Sequence, residues 1–155
     1  IADEAASADY IAALSALGED TARITIEMTE TLALDDPALA SAFAADIRAL
    51  GCSFAVDDFG SGHTSFRNLL AVEADSIKID GSLVAGVSVD ENKQAFIRMM
   101  VDLAKTFSVE TVAEMVEDRA DALVLARLGV DYLQGYYYGR PVPAPSWPRM
   151  ACGDA

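Results

Sequence analysis

The stretch "AVDDFGSGHTSF", residues 55–66, runs from an apolar, strand-like segment into two adjacent aspartates and a glycine-rich loop. Adjacent carboxylates repel each other, so a buried strand that ends on Asp57 and Asp58 needs partners for their charge. A doublet that faces the ends of other strands can hold divalent cations, because hard cations prefer oxygen ligands. The doublet therefore predicts a metal site, and the alternative is a solvated turn or a helix N-cap.

On both sides of the doublet, strand-like segments alternate with helical ones. The strands are predicted at 23–28, 53–58, 76–80, 110–115 and 131–136. The helices are predicted at 3–18, from Asp36-Pro37 to Gly51, at 91–107 and at 118–129. Two apolar helix stripes are expected to face the core, namely Leu39, Phe43, Ile47 and Leu50, and Phe96, Met100, Leu103 and Phe107. This alternation predicts an α/β fold with parallel strands joined by βαβ units.

Each predicted strand carries a polar residue at or near its carboxyl end. These residues are Glu27, Asp57 with Asp58, Lys78, Glu114 and Gln134. In a closed (β/α)₈ barrel, such residues converge on one mouth, where the chemistry takes place. A full barrel needs roughly 250 residues, so the five units here are expected to be its last five. We expect residues 1–143 to form this part of a barrel domain and 144–155 to form an irregular tail.

Composition limits the classes of function. The chain has 155 residues, of which 52% are hydrophobic, and a formal charge of −14, which argues against binding to DNA or RNA polymers. We expect a cytoplasmic protein, because no signal peptide or run of ~20 apolar residues is visible, although other domains of the parent could tether it to the membrane. The two cysteines, Cys52 and Cys152, fit a reducing compartment. No glycine fingerprint of a dinucleotide-binding fold follows the first strand.

Five motifs together resemble the signatures of EAL-domain cyclic di-GMP phosphodiesterases, in family order and at family spacing, over about residues 5–143. They are "IEMTE" (26–30), "DDFGSGHTSF" (57–66), "SIKID" (76–80), "VAEMVE" (112–117) and "YLQGYYYGRP" (132–141). The resemblance implies a modified (β/α)₈ barrel of the TIM type. It also implies hydrolysis of cyclic di-GMP to linear pGpG with two Mg²⁺ or Mn²⁺ ions, and inhibition by Ca²⁺.

The resemblance also assigns roles around the metals. Glu27 is similar to a ligand of one metal, Asp57 to the carboxylate that bridges both, and Asp58 to a ligand of the second. Lys78 is similar to the lysine that contacts the attacking water. Glu114 resembles the active-site glutamate that is viewed either as linked to the metals or as a general base.

Three further residues receive supporting roles from the resemblance. Gln134 resembles an amide that lines the site, Glu30 the glutamate that anchors the loop after the doublet, and Glu117 a supporting acid. The sequence departs from the family pattern at His63, where tyrosine is usual, and at Met115, where glycine is common. Neither change removes a ligand.

The Glu-Ala-Leu signature that names the family would lie two strands before "IEMTE", and no residue here matches it. A metal-binding asparagine would lie just before Ile1. We therefore expect the activity in a longer parent protein and expect these 155 residues alone to be inactive. The resemblance further implies a homodimer and fused sensor or GGDEF domains.

Two other functions remain open. One is a non-catalytic receptor or scaffold that binds cyclic di-GMP, although the intact visible ligands favour catalysis. The other is a different metal-dependent barrel enzyme in which Lys78 acts as a base toward a carbon acid. The doublet followed by "FGSGHTSF" argues against that second enzyme.

Overall fold

The computed structural model describes residues 4–61 and 72–143, so His63 and the predicted tail lie outside the described residues. Its five strands form one parallel sheet in chain order. They are β1 Thr25–Thr29, β2 Ser53–Phe59, β3 Ser76–Ile79, β4 Glu110–Ala113 and β5 Tyr132–Leu133. The α/β prediction is confirmed, and the arrangement is that of a partial barrel.

The α-helices described between and before these strands are α1 Glu4–Ser15, α2 Glu30–Asp35, α3 Pro37–Ala49, α4 Gly81–Val84, α5 Glu91–Thr106 and α6 Arg119–Leu128. Helix α1 ends before the predicted Gly18, because a 3₁₀ helix occupies Gly18–Arg23. Helices α2 and α4 are absent from the sequence prediction. They have six and four residues, too few to show helical periodicity.

Aspartates begin the three longer helices that follow strands. Asp36 accepts a hydrogen bond from the backbone N of Leu39, with Pro37 at the first helical position, as the Asp-Pro pair predicts. Asp90 and Asp118 cap α5 and α6 in the same way. These local signals explain why the predicted starts of the helices are accurate.

The core lies between the outer face of the sheet and the helices. On the two helices with predicted stripes, the buried residues are Ala40, Ala44 and Ile47 on α3, and Ile97, Met100, Val101 and Ala104 on α5. The predicted stripes are therefore wrong in part, since Leu39, Phe96 and Phe107 are 37%, 41% and 43% exposed. Small alanines let the helices approach the sheet closely, and helical spacing alone does not distinguish two adjacent stripes.

The inner face of the sheet is polar. Its residues line a concavity of about 300 Å³, and they are Thr25, Glu27, Ala55, Ser76, Lys78, Glu110, Val112, Tyr132 and Gln134. They alternate with buried apolar residues of the outer face, as strand geometry requires. Within the described ranges, every helix is too short or too polar to cross a membrane.

Candidate active site

Strand β2 is irregular at the aspartate doublet. Val56 pairs with Ile77 and Phe59 pairs with Ile79, so Asp57 and Asp58 together stand opposite a single residue of β3. This is the two-against-one arrangement of a β-bulge. Asp58 has φ 57°, in the left-handed region that aspartate tolerates better than most residues.

The bulge changes the direction of one of the two carboxylates. In a regular strand, neighbouring side chains point to opposite faces of the sheet. Here Asp57, Asp58 and Glu114 each place an oxygen within 4.8 Å of the others. The sequence predicted that these residues converge, but the bulge that allows both aspartates to take part is visible only in the structure.

Lys78 is the cation that the described residues place in the site. Its side chain is 7% exposed, and its Nζ lies 2.7 Å from Glu27 Oε2, 2.7 Å from Glu114 Oε1 and 3.1 Å from Asp57 Oδ1. The three carboxylates come from β1, the end of β2 and the residue after β4. A single ammonium group therefore ties together the ends of neighbouring strands.

The electrostatics of this cluster fix the charge of the lysine. Burial lowers the pKa of Lys78, but the hydrogen bonds and charges of its carboxylate neighbours outweigh burial, so its pKa is raised above the ordinary value. Burial raises the pKa of Glu114, and the charge of Asp57 adds to this, while Lys78 opposes it. Lys78 is consequently a protonated ammonium at neutral pH, suited to orienting a water molecule rather than removing a proton.

The donor set at Asp57, Asp58 and Glu114 fits a divalent cation. Asp57 Oδ1 is buried and accepts no well-aligned hydrogen bond from the described residues, although Lys78 Nζ is close enough for an ion pair. A buried acceptor left without a hydrogen bond is costly unless something else contacts it. Carboxylate oxygens are the ligands that Mg²⁺ and Mn²⁺ prefer, and one ammonium does not balance this many carboxylates.

Glu27 occupies a different place from the other predicted metal ligands. Its carboxylate contacts Lys78, its side chain is 45% exposed, and it is not part of the group formed by Asp57, Asp58 and Glu114. Its role as a ligand stays a prediction. Because Glu27 contacts Lys78, it lies at the same carboxyl edge of the sheet as the other site residues.

Glu30 makes the contact that a loop anchor requires. It is the first residue of α2, it is 4% exposed, and its Oε2 accepts a hydrogen bond of 2.8 Å from the backbone N of Gly60. Gly60 begins the loop after the doublet. Burial raises the pKa of Glu30, the Gly60 hydrogen bond lowers it, and the charges of Asp58 and Asp80 raise it further.

The remaining two predicted residues lie at the edge of the cluster. Gln134 lines the inner concavity next to Lys78, and its side chain is exposed. Glu117 follows β4 and is also exposed. Neither side chain has a hydrogen bond or ion pair to another residue in the described ranges, so their roles in the site stay predictions.

One contact beside the site was not predicted from the sequence. Met115, directly after Glu114, has φ 52° and places its side chain over Gly81, directly after β3 and Asp80. Only the spatial pairing of β3 with β4 brings these residues together. The single available sign was Met115 itself, at a position where the resembling family commonly has glycine.

The chain resembles known proteins over most of its length. The family model described as the EAL domain matches residues 1–141. The chain is 37% identical over 124 residues to the cyclic di-GMP phosphodiesterase PdeB of Shewanella oneidensis, which covers 80% of this chain and 14% of PdeB. The chain thus spans a small part of that relative.

Two solved structures share the fold. A PaMucR phosphodiesterase in complex with c-di-GMP has a TM-score of 0.75 and 33% identity, covering 81% of this chain and 51% of that chain. The Klebsiella pneumoniae BlrP1 complex with manganese and cyclic di-GMP has a TM-score of 0.80 and 28% identity, covering 90% of this chain and 36% of that chain. Together with the match over residues 1–141, these likenesses show that the chain belongs to the EAL domain family.

Proposed function

We propose that the whole protein to which this chain belongs hydrolyses one phosphodiester bond of cyclic di-GMP and releases linear pGpG. One observation carries the proposal: Asp57, Asp58 and Glu114 converge beside the buried ammonium of Lys78 at the carboxyl edge of the sheet. The name of PdeB and the cyclic dinucleotide in the PaMucR and BlrP1 complexes support the choice of substrate.

Asp57, Asp58 and Glu114 would hold Mg²⁺ or Mn²⁺, with Glu27 as a further ligand. When bound, such ions stabilise negative charge on a phosphodiester and generate hydroxide from water near neutral pH. The manganese in the BlrP1 complex supports this choice of metals. We expect Ca²⁺ to inhibit, because it takes more ligands at longer distances than Mg²⁺ does.

The other residues act on the water and the substrate. The Lys78 ammonium donates a hydrogen bond to the attacking water and offsets charge on the phosphodiester. Glu114 accepts a proton from that water or steers it, and Gln134 offers its amide to the substrate. Glu30 holds the backbone of Gly60, so the loop after the doublet starts from a fixed position.

The charge of Lys78 also bears on the alternatives. A barrel enzyme that deprotonates a carbon acid needs a lysine whose pKa is lowered. The carboxylates around Lys78 raise its pKa instead, which argues against that function. A receptor that binds cyclic di-GMP without cleaving it has no observation in its favour and is an outcome of the test.

We further propose that the parent protein is a cytoplasmic homodimer with fused sensor or GGDEF domains and does not bind DNA or RNA polymers. The greater length of PdeB is compatible with additional domains, and the charge of −14 opposes contact with polyphosphate chains. Size-exclusion chromatography with light scattering tests the dimer. A monomer at micromolar concentration would contradict it.

Residues 1–155 alone are proposed to be inactive. In the described part of the chain, β1 pairs only with β2 and β5 pairs only with β4, so both outer strands leave backbone groups without strand partners. Such edges are closed in a barrel and are prone to association when open. Turnover of cyclic di-GMP by a monomeric sample of these residues would contradict this proposal.

The central test is product analysis on the whole protein with Mg²⁺ or Mn²⁺, by ion-exchange chromatography. Wild type should convert cyclic di-GMP to pGpG, and Asp58→Asn should lose nearly all turnover. Asp102→Asn, on the exposed side of α5, is the matched control and should keep it. Binding of cyclic di-GMP without product in either metal would replace the phosphodiesterase by a receptor.

A further inference from the structure

Gly60, which follows the aspartate doublet and Phe59, lies against the side chain of Leu83. A Cβ atom built on Gly60 would come within 2.7 Å of Leu83 Cδ1, closer than real Cβ contacts come, and Gly60 has φ 94°. The next nearest atoms, from Met100 and Phe96, are 3.6 Å and 3.8 Å from the same point. Leu83 therefore fills the space that a side chain at position 60 would occupy.

The backbone of Gly60 is also held at its nitrogen. Glu30 Oε2 accepts a hydrogen bond of 2.8 Å from Gly60 N, and Ser61 N donates to Asp58 O over 3.2 Å, which closes a turn after the doublet. Asp58 itself has φ 57°, a left-handed conformation that persists only when its surroundings hold it. Glu30 and Leu83 thus hold the turn that carries Asp58 through two different contacts.

Leu83 belongs to α4, a helix of only four residues, which needs support from its neighbours because so short a helix is not stable alone. Lys93 Nζ supplies this support by donating to Ser82 O over 2.6 Å and to Ala85 O over 2.7 Å. Val84, next to Leu83, is fully buried in the core. The leucine is therefore carried by an anchored segment and can act as a rigid support for the turn after the doublet.

We propose that Leu83 is a positioning residue for the metal site, which holds the turn after the doublet so that the Asp58 carboxylate stays beside Asp57 and Glu114. The inference rests on the proposed function, in which Asp58 is a metal ligand. Glu30 holds the turn by one hydrogen bond, which leaves the chain free to rotate about it, and Leu83 blocks that rotation. Removing a side chain that orients a metal ligand typically costs about 10–100-fold in metal affinity or activity.

The test measures Mn²⁺ binding to the whole protein by calorimetry, without substrate. Leu83→Ala should raise the dissociation constant for Mn²⁺ about tenfold, because the turn that carries Asp58 loses its support. It should also speed hydrogen exchange in residues 58–61, measured by mass spectrometry, because the turn opens more often. Leu83→Met should restore both values, since methionine has a similar volume and fills the same space. Lys93→Met keeps Leu83 but removes the hydrogen bonds to α4, and it should change both quantities in the same direction by a smaller factor.

Leu50→Ala is the matched control. Leu50 is also a partly buried leucine packed against the core, but it lies between the end of α3 and the start of β2, at the amino edge of the sheet. Its loss should lower the free energy of unfolding without changing Mn²⁺ binding. The proposal is wrong if Leu83→Ala destabilises the fold but leaves the dissociation constant for Mn²⁺ unchanged, or if Leu50→Ala weakens Mn²⁺ binding equally.

Two further outcomes are decisive. If Leu83→Ala does not fold, unchanged Mn²⁺ binding and unchanged hydrogen exchange in Lys93→Met overturn the proposal. Wild type that binds Mn²⁺ and loses affinity in Leu83→Ala, yet forms no pGpG, supports the role of Leu83 and rejects the proposed function. Wild type that binds no Mn²⁺ rejects both.

Discussion

The side chain of Met115 lies directly over Gly81, so that a Cβ atom on Gly81 would come within 2.9 Å of both Cβ and Cγ of Met115. Gly81 begins α4, close behind Lys78, and Met115 follows Glu114. The contact therefore joins two strand ends that carry site residues. It depends on the absence of a side chain at one position and on a left-handed backbone at the other, where Met115 has φ 52°.

Gly81→Ala should lower the free energy of unfolding by about 1–3 kcal/mol, the usual cost of forcing extra atoms into a packed site. In a Met115→Gly background the same change should cost almost nothing, because the opposing side chain is gone. Denaturant titrations of the whole protein measure both costs. Gly86→Ala is the control, since Gly86 has φ 73° but no atom near its missing Cβ, so its cost should be equal in both backgrounds. Equal costs for Gly81→Ala in both backgrounds would show that the contact does not limit packing.

Lys78→Met should destabilise the fold as well as stop catalysis. It removes the one cation that the described residues place beside Glu27, Asp57 and Glu114, and it leaves their charges to repel each other. Breaking a buried charge cluster typically costs about 3–5 kcal/mol, and solvent screening of the half-exposed Glu27 places the expected loss in EDTA at about 3 kcal/mol. Lys105→Met, at an exposed position of α5, should leave stability almost unchanged. A Lys78→Met protein as stable as wild type in EDTA would contradict this account.

Asp57→Asn should separate the metal role of the doublet from a structural one. Without metal, melting in EDTA should be unchanged or higher, because the change removes a repelling charge. Wild type should gain stability when Mg²⁺ is added, and Asp57→Asn should gain much less, by mass action. Turnover should fall by on the order of 10²-fold or more, since several kcal/mol of charge stabilisation is lost. A lower melting temperature in EDTA together with intact turnover would make the doublet structural.

Asp121 should stabilise the fold only at pH values above the pKa of its carboxyl group. It is 4% exposed and accepts hydrogen bonds of 2.8 Å from the backbone N of Gly86 and of Ser88. Burial raises the pKa of Asp121, but the hydrogen bonds that its carboxylate accepts from Ser88 and Gly86 outweigh burial and hold the pKa below its usual value. A lowered folded pKa means that the stabilisation is complete above the unfolded pKa of about 4 and is lost as pH falls through the folded value.

Asp121→Asn should therefore cost about 1–2 kcal/mol at neutral pH, where a charged acceptor is replaced by a neutral one. The difference from wild type should shrink as the pH falls below about 4. Denaturant titrations at a series of acidic pH values measure this difference in the free energy of unfolding between the variant and wild type. Asp46→Asn, at an exposed position of α3, is the control and should track wild type throughout. A difference that is constant with pH would show that Asp121 acts by its shape and not by its charge.

Local signals in the sequence determined the order and type of the main elements. Asp36, Asp90 and Asp118 mark helix starts because a carboxylate satisfies free backbone N–H groups within one turn. The strands are recognised by apolar, β-branched runs that end on polar residues such as Glu27 and Lys78. These features depend on neighbours along the chain, so the parallel α/β order, the membership of the family and the convergence at one edge were predictable.

Only the tertiary structure decided how the site is built. The bulge at Asp57 and Asp58 arises from the register with Ile77 and Ile79, which no pattern along β2 reveals. Packing against the sheet, rather than helical spacing, buried Ala40 and left Leu39 partly exposed on α3. Glu27 accepts a hydrogen bond of 2.7 Å from the Lys78 ammonium group, which lies 51 residues away along the chain. Register, close packing and charge pairing act between distant segments, and their energies are settled only when those segments meet.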